Sequence, residues 1–256
     1  MVETKFKELF EIVKKLRVEC PWDREQTNDS IKAATIEEAY EVVESIDDKN
    51  YDELKEELGD LLLHIIFHSV IANEGNHFKL EDVIESISKK LIRRHPHVFG
   101  NVEVNGADEV KRNWEKIKLT EGREYVLEGV PKLLPALQRA HRLQEKAAKV
   151  GFDWEKKEDV WKKVIEEIEE MHKSEKMENR EELENEIGDV FFALVNYSRF
   201  LGVNPENALR GTNEKFINRF NYIEDMINES GRKINECNLE EMDKYWEESK
   251  KLNKLK

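Results

Sequence analysis

Hydrophobic positions recur along this chain at spacings of three and four residues, in blocks several turns long. That is the period of amphipathic helices rather than strands. Phe6 to Arg17 predicts a short helix ended by a turn at CPWD (Cys20 to Asp23). Ser30 to Ile46 predicts a second helix, with DDKN (Asp47 to Asn50) as its turn, Tyr51 to Asn73 a long third and Leu80 to Arg94 a fourth. From His95 to Gly106 the pattern fails around Pro96, Gly100 and Gly106, which predicts a loop, followed by a short helix about Trp114. Thr120 to Pro131 looks like a linker. Beyond it, helices are expected over Pro135 to Val150, Val160 to His172, Glu181 to Leu201, Pro205 to Asp225 and Leu239 to Leu252, with GFDW (Gly151 to Trp154) in the place that CPWD held.

The second half thus repeats the first, and internal repeats outrank single motifs as a guide to architecture. EEAYE at Glu37 recurs as EEIEE at Glu166, and ELGD at Glu57 as EIGD at Glu186. Glu38, Glu41, Glu57 and Asp60 find Glu167, Glu170, Glu186 and Asp189 at one constant offset of 129 residues. After a four-residue deletion, Lys90 and Arg94 correspond to Lys215 and Arg219, and WEKIK from Trp114 resembles WEESK from Trp246. The expected fold is all-α, a tandem pair of four-helix-bundle-like modules over 1–119 and 132–256, joined by 120–131.

Composition narrows what such a molecule can do. Hydrophobic residues make up 39% of the chain and charged residues 38%, while Gly (11) and Pro (5) are scarce, so good helix formers dominate. The net charge of −14 disfavours nucleic acid, whose binders present a basic face. A small anion remains acceptable where a metal ion or a few aimed cations reverse the local field. Cys20 and Cys237 are too few for a disulfide framework, which points to a reducing compartment. The N-terminal stretch is amphipathic but carries Glu3, Glu8 and Glu11, and the most apolar segment, Leu58 to Ala72, is interrupted by Asp60, His64 and His68. No membrane association is expected, and a cytoplasmic location is.

The spacing of the acids carries the chemistry. Carboxylates at i and i+3 share one helix face, so Glu38 pairs with Glu41 and Glu57 with Asp60. Glu41 and Glu57 are equidistant from Lys49, as are Glu38 and Asp60; an antiparallel hairpin would bring all four level. The second set is symmetric about Glu178. Four converging carboxylates repel unless a divalent cation lies among them, and hard oxygen donors favour Mg2+, with Mn2+ as the alternative. Asp60 and Asp189 each open an apolar run, where an unpaired carboxylate would be costly to bury. Lys215 and Arg219 stand i,i+4 on one helix and can reach one anion. On spacing alone they also fit ordinary surface cations, and Trp246 fits a core residue as well as a stacking platform.

Glu-Glu-x-x-Glu followed at this distance by Glu-x-x-Asp resembles the MazG-type nucleoside triphosphate pyrophosphohydrolases. So do CPWDREQT from Cys20, RRHPHVFG from Arg93, KAAKVGFDW from Lys146 and NEKFINRF from Asn213. The resemblance implies a Mg2+-dependent homodimer that converts NTPs and dNTPs to monophosphate and pyrophosphate. It implies metal binding by Glu38, Glu41, Glu57 and Asp60, and by Glu167, Glu170, Glu186 and Asp189. Lys215 and Arg219 would lie on the phosphates, with Lys90 and Arg94 as their first-module counterparts, and Trp246 near the base. Asn213 is matched by Ser88 in the first copy, so catalysis is expected of the second module, with Glu167 and Glu170 as candidates to take a proton from water.

Two rivals remain on sequence. A carboxylate-bridged di-iron bundle needs Glu-x-x-His on two helices, and the chain offers only Glu169/His172 and Glu74/His77, the latter beside Gly75. His64 and His68 suggest zinc by spacing but find no third soft ligand, and read as core or interface histidines. A non-catalytic interaction module would use the acids only for solubility.

Overall fold

A computed structural model describes residues 1–107, 109–110, 113–114, 117, 125–177 and 179–252. Contacts divide the chain after Trp114 into two units, Met1–Trp114 and Glu115–Lys256. Among the described residues there is no strand.

The first unit comprises α1 (Val2–Glu19), α2 (Pro21–Glu25), α3 (Lys32–Asp47), α4 (Tyr51–Glu74), α5 (Leu80–Arg94) and the one-turn α6 (Pro96–Phe99). Its centre is the α3–α4 hairpin. Lys49, the residue about which the acids are symmetric, turns the chain with φ 58. Asn50 then caps α4, its side chain accepting from the Glu53 amide at 3.3 Å. Buried Val13, Ile31, Ile66, Phe67, Val70 and Leu80 form the core, with Phe6, Leu9 and Phe10 of α1 packed on it. Arg17 ties α1 to the end of α4: Nε donates to Glu74 at 2.9 Å, while its Nη1 donates to the carbonyls of Asp23 and, at 2.9 Å, Gln26.

The second unit comprises α7 (Ala136–Ala148), α8 (Lys157–Lys176), α9 (Arg180–Phe200), α10 (Pro205–Glu229), a 3-10 turn (Ile234–Glu236) and α11 (Leu239–Leu252). Helix α9 packs along α8 as α4 packs along α3. The cap repeats as well: Asn179 accepts from the Glu182 amide at 3.3 Å, 129 positions beyond Asn50 and Glu53. Val160, Val164, Ala193, Val195, Ile223 and Ile227 are buried. Gln144 of α7 donates to the Phe192 carbonyl at 2.8 Å, and Arg199 of α9 donates to Asp153 at 2.9 Å, anchoring the GFDW loop.

Three local expectations are corrected. The first helix runs beyond Phe6–Arg17 at both ends, because no Gly or Pro interrupts it before Pro21. CPWD is a short helix rather than a turn, since Pro21 sits at its first position, where the missing N–H costs nothing. The same device at Pro96 places one helical turn inside the stretch expected to be loop. Parts of the linker, of WEKIK and the hairpin midpoint Glu178 lie outside the described residues.

Candidate metal centres on two helical hairpins

Because α3 and α4 run antiparallel from a tight turn, their inward faces bring Glu38 and Glu41 opposite Glu57. One carboxylate oxygen from each lies within 4.8 Å of the other two. In the second unit the same hairpin gathers Glu167, Glu186 and Asp189 within the same distance. Each trio therefore holds three of the four expected acids. Asp60 and Glu170 stand just outside but close enough to act through charge: Asp60 on Glu38 and Glu57, and Glu170 on Glu186. Asp60 and Asp189 are exposed, contrary to the burial that their place before an apolar run suggests.

The electrostatics are those of crowded anions. Burial pushes the Glu38 carboxyl above the usual range, helped by Glu41 and Asp60. Burial likewise raises Glu57, with Glu41, Asp60 and Glu38 adding to it, and raises Glu186, with Glu170, Asp189 and Glu167 adding. Each proton is held more tightly because a further negative charge there is unfavourable. Such a set of hard oxygen donors at mutual ligand distance fits a divalent cation of the magnesium and manganese type, which would remove that penalty.

The two centres differ in their other neighbours. In the second, the Lys163 ammonium lies 2.7 Å from Glu167, whose side chain is only 10% exposed, and 2.8 Å from Glu166. These hydrogen bonds push the Lys163 pKa well up. Lys163 was not anticipated from sequence. The signal was available: it stands i−4 to Glu167, where the first copy has Ala34. In the first centre, His64 Nε2 lies 3.8 Å from Glu38 and leads into a run of hydrogen bonds through Thr35 and His68, so these are not simple core histidines.

The expected phosphate-binding cations lie on α10 and α5. Lys215 and Asn213 are exposed on α10. Arg219 is half-buried, its guanidinium 5.4 Å from the centre of the half-buried Trp246 ring, and its Nε is buried without a hydrogen-bond partner. Phe216 packs on the same indole at 5.4 Å. Lys90 and Arg94 are half-buried on α5, where Arg94 is already engaged. Among the described residues, neither Lys215 nor Arg219 forms an ion pair with the acidic trio. Gly59 and Gly188, inside the ELGD and EIGD motifs, are exposed, and a Cβ added to either would meet nothing within 4 Å.

The di-iron arrangement finds no support. Glu74 is committed to Arg17 at 2.8 Å, and the His172 Nδ1 is turned back to the Ile168 carbonyl at 2.7 Å. No helix among the described residues is long and apolar enough to cross a membrane.

The model of the MazG nucleotide pyrophosphohydrolase domain matches the chain twice, over residues 26–99 and 155–223. Each match encloses one complete set of four acids, and the second also encloses Lys215 and Arg219. The chain is 45% identical over 250 residues to the nucleoside triphosphate pyrophosphohydrolase/pyrophosphatase MazG of Thermotoga maritima, covering 96% of this chain and 95% of that protein. It is 40% identical over 238 residues to the nucleoside triphosphate pyrophosphohydrolase of Escherichia coli K12, covering 91% and 90%. Among solved structures, a MazG-related protein from Thermotoga maritima matches with a TM-score of 0.40 at 25% identity, covering 44% of this chain and 98% of the other.

Proposed function

As the chain belongs to the MazG nucleotide pyrophosphohydrolase family, we propose that it hydrolyses nucleoside triphosphates, both NTPs and dNTPs, to the monophosphate and pyrophosphate with Mg2+ as cofactor. The observation that carries this reading is the recurrence, on two hairpins, of three carboxylates within ligand distance of one another. Asp60 and Glu170 complete the two sets of four. When bound, a divalent ion would neutralise these acids, hold triphosphate oxygens and make a coordinated water more acidic.

The side chains divide the remaining work. Glu167 or Glu170 accepts the proton of the attacking water. Water oxygen bonds to the α-phosphorus, the bond to the β-phosphate oxygen breaks, and pyrophosphate leaves with the electron pair. Lys215 and Arg219 meet the departing charge; the unpartnered Arg219 Nε supports this by offering a donor that no protein group uses. Trp246, with Phe216 beside it, supplies an aromatic face for the base, and Asn213 a polar contact. Lys90 and Arg94 are the matching cations of the first module. The modules are read as 1–119 and 132–256.

Apolar residues exposed on the second hairpin support a homodimer. Trp161, Ile165, Ile187, Phe191, Phe192 and Leu194 all remain exposed on α8 and α9, a face suited to a second copy. The net charge of −14 supports a small-molecule partner and no nucleic acid.

The test is pyrophosphate release across a nucleotide panel, on Glu38→Ala and Glu167→Ala separately. Loss of the catalytic module's charge stabilisation should cost about 100-fold or more in kcat/KM. In oxygen-18 water the label should appear in the monophosphate. Label in pyrophosphate, or orthophosphate as the sole product, overturns this reading.

A further inference from the structure

The first module contains a polar chain that its repeat lacks. Thr35 Oγ1 on α3 lies 2.9 Å from His64 Nδ1 and 2.8 Å from His68 Nε2, both on α4. His68 Nδ1 in turn lies 2.8 Å from the Asn28 side-chain oxygen, in the segment leading into α3. At the other end, His64 Nε2 faces Glu38 at 3.8 Å, with the imidazole 12% and the carboxylate 20% exposed. In the second module the same four positions hold Lys157, Val164, Ala193 and Tyr197. Val164 and Ala193 there are buried in an apolar core. Where the second module buries Val164 and Ala193, the first places Thr35 and His64, and buried polar groups are costly unless they are satisfied.

The chain satisfies itself in a way that acts on Glu38. Thr35 Oγ1 also lies 3.1 Å from the Ile31 carbonyl, so its one hydrogen can go to that carbonyl, to His68 or to His64. When it goes to a ring, the hydroxyl accepts from the other ring, and the run has two polarities. In one, His64 gives its Nδ1–H to Thr35 and turns a lone pair toward the carboxylate. In the other, Asn28 with its amide turned donates to His68, His68 Nε2–H donates to Thr35, and Thr35 donates to His64 Nδ1. That leaves His64 Nε2–H directed at Glu38. An anionic carboxylate needs a donor, which selects the second polarity. Burial and the neighbouring His64 hold the His68 pKa down, keeping that ring neutral with one donor and one acceptor, as the run requires. Closing the remaining gap by ~1 Å gives an ordinary hydrogen bond.

We propose that His64, oriented by Thr35 and His68, is a positioning residue for Glu38, holding one carboxylate oxygen so that the other faces Glu41 and Glu57. Outer partners of this kind fix the geometry of the groups that touch an ion. The second module orients Glu167 differently, through Lys163, so the two centres are tuned by different means. The inference rests on the reading of the Glu38 cluster as a divalent-ion site, and its test separates the two.

The full chain carrying Glu167→Gln and Glu186→Gln isolates the first centre. Its Mn2+ affinity is measured by titration calorimetry, and bound Mn2+ by electron paramagnetic resonance. His64→Ala and Thr35→Val place the second module's residues in the first and should weaken Mn2+ binding about 10-fold or more. His64→Gln, whose amide N–H can stand in for Nε2–H, should recover most of that loss, which a purely structural role would not produce. Thermal melts identify any variant that fails to fold, and Thr35→Val, which removes only the hydroxyl, then decides. Unchanged affinity in folded His64→Ala and Thr35→Val overturns the positioning while leaving the metal site standing. If the parent binds no Mn2+ that Glu38→Ala abolishes, the metal reading falls and this inference with it.

Discussion

At the scale of single residues, the crowded acids store a pH dependence whose sign can be worked out. Glu38, Glu57 and Glu186 have folded pKa values raised above their ordinary 4.5, first by burial and then by neighbouring carboxylates. Between 4.5 and those raised values the folded chain binds more protons than the unfolded one, so metal-free stability falls as pH rises through that window. Glu241, hydrogen-bonded to Arg232 and lowered to about 2, has the opposite sign: its contribution is intact above 4.5 and disappears as pH falls toward about 2. On these groups, the metal-free chain gains stability on acidification through that window and loses it again as Glu241 protonates. Melting temperatures in chelator should rise on acidification from pH 7, and Mg2+ should abolish that rise by taking the place of the protons. Lys163 does part of the same work internally. Lys163→Met should destabilise the metal-free chain by about 1 kcal/mol, the upper range for a pair whose lysine is still 36% exposed. Saturating Mg2+ should shrink the difference in a denaturant titration.

At the scale of the helix, much of the design was legible and the remainder has identifiable causes. Long elements with a clean period, such as Leu80–Arg94 and Leu239–Leu252, are found where the sequence puts them. The hairpin was legible because symmetry about Lys49 is a statement about a turn, and that residue does adopt the left-handed conformation. The missed features are short or lateral. One-turn helices at Pro21 and Pro96 carry too little pattern to register, and Lys163 or His64 acquire their neighbours from across or along a hairpin, which linear spacing registers weakly. Two glycines carry a more pointed message. Gly59 and Gly188 sit inside α4 and α9, where Gly costs about 1 kcal/mol relative to Ala. Neither is crowded, since an added Cβ would meet nothing within 4 Å. Each directly precedes the aspartate of its set on an exposed stretch of helix, an open flank for an approaching triphosphate. Gly188→Ala should thus raise stability by up to about 1 kcal/mol in chemical denaturation while raising KM for the triphosphate. Gained stability with unaltered KM would mean the space holds no substrate.

At the scale of the molecule, two physical tendencies compete over association, and salt can separate them. The exposed apolar residues of α8 and α9, with Phe191 at 56% and Phe192 at 46% exposure, favour burial against a like surface. Two copies each carrying −14 repel one another. Apolar attraction is little affected by moderate salt, whereas repulsion between exposed charges is screened beyond roughly 8 Å at physiological ionic strength. Dimerisation of this chain should therefore tighten as salt is raised, opposite to an interface held by complementary charge. Phe191→Glu adds a charge to the apolar face and removes a large ring, both unfavourable to pairing. Light scattering after size exclusion should find the parent as a dimer that dilution dissociates more readily at low salt, and the variant as a monomer. The monomer should also melt lower, because a partner bound only to the folded state stabilises it by mass action. If Phe191→Glu leaves the mass and its salt response unchanged, the apolar face of α8 and α9 is not where two copies meet.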